Sequence, residues 1–174
     1  MSKLNCMSQL TALSTSIAVL GAVWAFLALG PLSGFVLVWA GFLAWACYFH
    51  TGADTPALQK TIVGMAYGAV IAGIALLLVN LNPLFLPGVF GPAVYIGVTV
   101  FFLVFVARFD LLSVVPANVY GYAATAAYAL QTANAGSVTA LDMTNPVLLV
   151  TVSSVLGAVF AMLSGKLAAA LTKA

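Results

Sequence analysis

Long apolar runs follow one another along almost the whole chain, and charged side chains occur only near the breaks between them. Such a sequence cannot give itself a water-facing surface: 5% of its residues are charged, against about 25% in a soluble domain. Five charges are Lys or Arg, three are Asp, and Glu is absent. Crossing a bilayer takes roughly 20 residues per helix. The 174 residues therefore allow about six crossings and no separate soluble domain. The expected fold class is an all-α membrane protein, a bundle of about six transmembrane helices forming one domain over residues 1–174.

Turn-forming residues set the cuts. A first helix from about Thr11 to Leu29 ends at Gly30-Pro31, which cannot continue it. A second, Gly34 to Phe49, stops at His50-Thr51-Gly52-Ala53-Asp54. A third starts at Pro56 behind Thr55 as cap and runs to Val79. After a stretch rich in Asn, Gly and Pro, a fourth runs from Pro92 to Ala107. A fifth follows Asp110, its expected cap, and reaches Leu130. Asn145-Pro146 opens the sixth, which ends near Leu167. With a cytoplasmic N-terminus, Lys3, Lys60, Arg108, Lys166 and Lys173 all fall on the inside, as the positive-inside rule requires. Both ends are expected in the cytoplasm. The N-terminal run reads as a first span, because no small-residue cleavage site follows it.

The two halves resemble each other. Thr55-Pro56 and Thr61 pair with Asn145-Pro146 and Thr151; Gly68-Ala69-Val70 pairs with Gly157-Ala158-Val159 across a one-residue gap. Trp39-Ala40 pairs with Pro116-Ala117. The expectation is an inverted 3+3 repeat, residues 10–80 against 89–168, because a unit of three spans re-enters the membrane from the opposite side. Gly64, Gly68 and Ala72, and likewise Gly157, Ala161 and Gly165, place small residues on one helix face. They serve either helix packing within the bundle or the interface of a homo-oligomer.

Leu20-Gly-Ala-Val-Trp-Ala-Phe26, Trp39-Ala-Gly-Phe-Leu-Ala-Trp-Ala46 and Leu112-Ser-Val-Val-Pro-Ala-Asn118 with Gly121 carry a family likeness. They resemble the YcdZ-type family of small bacterial inner-membrane proteins, a domain of unknown function. The likeness spans roughly residues 10–168. It implies a multi-pass protein of the bacterial inner membrane and no particular activity.

Chemistry is sparse. Cys6 and Cys47 have no metal or redox spacing, and His50 is the only histidine. No metal, cofactor or nucleic-acid partner is expected, and no catalytic constellation is visible. Asp54, Asp110 and Asp142 fall at helix ends, which leaves no mid-membrane acid for proton coupling. The fifth helix is the richest in polar groups. Pro116, read as lying inside it, would kink it and free the Leu112 carbonyl; Asn118, Tyr122 and Thr125 follow. These residues either line a solute path or serve as interhelical glue. Trp39 and Trp45 point about 120° apart around the second helix, so one of them can join such a path. Trp39 also suits an interfacial anchor. The expectation is a non-enzymatic channel or facilitator for a small neutral solute, urea- or amide-like. The alternative is a non-conducting subunit or scaffold that anchors a partner.

Overall fold

A computed structural model describes residues 7–173. Lys3, Cys6 and the Lys173 side chain lie outside the described residues. Six α-helices are present: α1 (Gln9–Leu29), α2 (Val38–Thr51), α3 (Thr55–Leu81), α4 (Phe90–Phe105), α5 (Val115–Gln131) and α6 (Pro146–Lys173).

Local chemistry explains where they begin. The Ser8 hydroxyl accepts from the Thr11 N–H at 3.2 Å and caps α1. Asp54, not Thr55, caps α3: its carboxylate accepts from the Ala57 N–H at 2.7 Å, and Thr55 is already helical. Asn145 accepts from the Val147 N–H at 2.8 Å, with Pro146 as the first residue of α6. A proline costs nothing at such a position, where its missing N–H would have no intrahelical partner.

The fifth helix departs from expectation. Residues Val106–Arg108 and Asp110–Leu112 form two short 3-10 turns, and α5 starts only at Val115. Pro116 thus lies in the first turn, where it bends nothing. Asp110 does not cap α5 either; its carboxylate accepts from the Lys60 ammonium at 2.8 Å. The second helix also starts later than expected, at Val38, because Gly34 takes a positive φ of +85° and the chain turns there.

The chain is a helical membrane protein. Four helical stretches are long and apolar enough to cross a bilayer: Gln9–Leu29, Thr55–Leu81, Phe90–Arg108 and Pro146–Thr172. The others are shorter, 14 residues for α2 and 17 for α5. At 1.5 Å per residue α2 is only about 21 Å long, against about 30 Å of hydrocarbon.

Packing does not follow chain order. The most extensive contact joins α3 to α5, and the next joins α6 to α2. α1 lies on α6, α4 lies on α3, and α3 crosses α6. The sequential pairs α1–α2 and α4–α5 barely touch. The middle of the bundle is filled by small side chains, among them Ala44, Cys47, Ala69, Ala117, Ala124 and Ala158. The outer helices show apolar side chains outward: Val19 and Phe26 on α1, Phe101, Phe102 and Phe105 on α4. Polar ties fix both ends. Lys60–Asp110 joins the start of α3 to the α4–α5 junction. At the far end of α3, the Asn80 amide donates to the Ala135 carbonyl at 3.1 Å.

Candidate functional site

The α3–α5 contact is built on missing side chains. A Cβ added to Gly68 would fall on the Asn118 carbonyl, and one added to Gly121 on that of Met65. At Gly64 it would meet the Ala117 Cβ at 2.7 Å. On the other side of the bundle, a Cβ on Gly157 would fall on the Gly41 backbone. Ala72 and Ala161 are fully buried. Gly165 lies near the end of α6, with the Phe49 ring 3.8 Å from its Cβ position. Gly64, Gly68 and Gly157 are therefore used for helix packing within one chain. Within the chain these faces are occupied by α5 and α2.

This close approach places Asn118. The side chain is fully buried, and its amide donates to the Leu112 carbonyl at 3.1 Å and to the Leu103 carbonyl at 3.2 Å. The Leu112 carbonyl is free because helix α5 has not yet begun there, not because Pro116 disrupts a helix. The Asn118 Oδ1 has no hydrogen-bond partner and faces Gly64, whose Cβ position is 2.9 Å away. Thr125, equally buried, donates to the Gly121 carbonyl at 2.9 Å. The Tyr122 and Thr99 hydroxyls share a hydrogen bond of 3.2 Å between α5 and α4. The Asn118 and Tyr122 bonds tie α5 to α4, whereas the Thr125 bond stays within α5.

Trp39 is 41% exposed at the start of α2, where it suits a rim position. Trp45 is 3% exposed and its Nε1 has no acceptor. It packs with Trp24 of α1 and Ala161 of α6, whereas Asn118 faces α3 and α4. Trp45 thus packs between α1 and α6, while Asn118 lies against Gly64 of α3 and binds the Leu103 carbonyl. Each nevertheless carries an unpartnered buried polar atom, and no other described side chain does.

Open space lies at the two ends. A cleft of about 770 Å³ opens where the start of α1 meets the ends of α2 and α6, lined by Gln9, Leu13, Tyr48, Phe49, Asp54 and Lys166 among others. A second, of about 640 Å³, includes Phe35, Tyr128, Asp142, Thr144 and Leu148. There the Thr144 hydroxyl and N–H both donate to the Asp142 carboxylate and hold its pKa below the usual carboxylate value. Among the described residues no group of three or more His, Cys, Asp or Glu could hold a metal.

A family model described as a protein of unknown function (DUF1097) matches residues 14–169. The chain belongs to the DUF1097 family. The match runs from within α1 into α6 and takes in α2 to α5 entirely, both short helices of the DUF1097 chain included. No curated protein and no solved structure matches the chain.

Three features of this DUF1097 chain escaped the sequence reading. Trp24 is fully buried and donates to the Val38 carbonyl at 3.0 Å. Gly41 lies against the Trp24 ring, so closely that a Cβ there would collide with it. Ala117 extends the four-residue step of Gly121 and Thr125 along α5, and with it the step marks the face that meets α3.

Proposed function

We propose that the chain is a six-span facilitator of the bacterial inner membrane, built as an inverted 3+3 repeat, passing a small neutral polar solute without proton coupling or catalysis. One observation carries this reading. Exchanging α1 with α4, α2 with α5 and α3 with α6 leaves the pattern of helix contacts unchanged: α3–α5 becomes α6–α2, and α1–α6 becomes α4–α3. The same exchange turns the Gly68–Asn118 approach into the Gly157–Gly41 approach, the positions that the sequence pairing matches. Inverted repeats recur in transport proteins because they give equivalent access from both sides, and clefts at opposite ends of the bundle suit that role. All the described charges lie at helix ends or connections, which favours an uncharged solute. In this arrangement Lys60, Arg108 and Lys166 share the side of the α1 N-terminus. The outer faces of α1 and α4 remain for a homo-oligomer. The narrower YcdZ-type kinship rests on the three apolar motifs.

The second reading, a non-conducting scaffold, is favoured by the internal hydrogen bonds of Asn118, Tyr122 and Thr125. Stopped-flow shrinkage of proteoliposomes in acetamide, glycerol and sucrose separates the two. The facilitator passes at least one small solute faster than protein-free vesicles and excludes sucrose; a scaffold changes none of the three. Single cysteines at Ser33, Pro87 and Ser137, in a chain lacking Cys6 and Cys47, should label from the periplasm, and one at Asp54 only from inside. Periplasmic labelling at 54 removes the six-span topology.

A further inference from the structure

Of the two buried indoles, only one is satisfied. Trp24 donates to the Val38 carbonyl at 3.0 Å, whereas Trp45 Nε1 has no acceptor. A buried N–H without a partner is disfavoured in an apolar interior. Burial among aromatic rings offers it none: the Phe42 ring stacks on Trp45 at 5.6 Å and 23°, and Phe160 lies at 6.2 Å. One turn further along α2, Tyr48 and Phe49 belong to the same cluster and also line the larger cleft. The Tyr48 hydroxyl donates to the Ala53 carbonyl at 2.6 Å, which fixes that ring between cleft and cluster. An unpaired donor among aromatic rings, one helical turn from residues that line an open cleft, matches a flat uncharged molecule with a carbonyl acceptor.

We propose that Trp45 is the recognition donor for such a solute, a primary amide or a urea. It enters from the α1–α2–α6 cleft past Tyr48 and Phe49, and its carbonyl oxygen accepts from the indole N–H. This rests on the facilitator reading and names its substrate class. Phe42 and Phe160 flank the solute's planar faces. Tyr48 gates the step, because its ring moves only when the hydroxyl releases Ala53. No bond is made or broken in the solute.

The full chain, labelled with 5-fluorotryptophan, carries three fluorine probes at Trp24, Trp39 and Trp45. The Trp45 signal is assigned by its loss in Trp45→Phe. Acetamide should shift that signal saturably and leave the Trp24 signal in place. In proteoliposomes, Trp45→Phe should lower acetamide flux at least tenfold while thermal unfolding stays at the wild-type temperature. A Trp45 signal that does not move, or acetamide flux unchanged in Trp45→Phe, overturns the assignment. Saturable shifts with no wild-type flux would keep the site and remove the facilitator. Flux with an unmoved Trp45 signal would keep the facilitator and remove the site.

Discussion

The first three helices and the last three solve one packing problem with opposite chemistry. In the first half the outer helix α1 reaches inward: Trp24 fills the space over Gly41 and donates to the Val38 carbonyl of α2. In the second half the short helix α5 reaches outward: Asn118, at the position paired with Gly41, donates to the Leu103 carbonyl of α4. Leu103 and Trp24 are the largest fully buried side chains of their two helices. A large ring against a glycine on one side thus stands against an asparagine bound to a leucine carbonyl on the other. One hydrogen bond between outer and short helix is kept, while the donor moves from one helix to its neighbour. Two halves can therefore share an arrangement of helices while their sequences diverge at the very contact that holds it.

The hardest blow to this correspondence comes from the glycines where backbones meet. Gly68→Ala and Gly157→Ala should each cost at least ~2 kcal/mol, because the new methyl meets backbone that cannot move aside alone. Detergent unfolding of both variants checks it, and a fall in only one would mean that the halves are not equivalent. Gly41→Ala should lose about 1–3 kcal/mol by collision with the Trp24 ring. Trp24→Leu in the same chain should restore most of that loss, since it recreates the pattern of the second half. A double-mutant cycle with no coupling between 24 and 41 breaks the comparison there. Asn118→Leu should cost roughly 1–3 kcal/mol by leaving two carbonyls without the side-chain donor, whereas Trp24→Phe gives up one bond worth about 1 kcal/mol. Equal losses would show that the second carbonyl bound by Asn118 contributes nothing.

The smallest effect lies in the connections. Asp54 caps α3 directly, while in the second half Asn145 takes that role and Asp142 holds Thr144 instead. The Asp142 pKa is lowered by the Thr144 hydroxyl and N–H. Its contribution is therefore present above the ordinary carboxylate pKa and is lost as pH falls through the lowered value. Carbon-detected titration of Asp142 should give a midpoint below about 3.9. Thr144→Val should move that midpoint up.

Much of this was legible in the sequence. Gly30-Pro31, Gly52 and Asn145-Pro146 interrupt apolar runs with residues whose backbone preferences leave little choice, and the helices break there. The close packing at Gly68 and at Gly157 could be read from the small-residue steps, because backbone approach demands small side chains. Pro116 misled, since the residues after Asp110 are largely apolar and nothing in Leu111–Val115 separates a 3-10 turn from the start of an α-helix. Contacts between distant helices were beyond pattern reading. That Asn118 binds Leu103 depends on how α4 lies against α5, and a carbonyl leaves no trace in sequence. The unpaired state of Trp45 was equally invisible, for the absence of an acceptor is a property of its surroundings.

Interleaving also dictates how this protein is made. α1 and α2 find their main partner in α6, which is made after the five helices before it. At the usual ~5–20 residues per second, the interval between completing α1 and completing α6 is about seven to thirty seconds. Throughout it Trp24 and Ala28 lack the α6 side of their cluster. α3, α4 and α5 can assemble meanwhile, since α3–α5 and α3–α4 need nothing later in the chain. Assembly thus begins with α3, α4 and α5 and closes when α6 docks against α1 and α2. A ribosome that stops after α5 leaves a half-built bundle whose first two helices quality-control proteases can pull out.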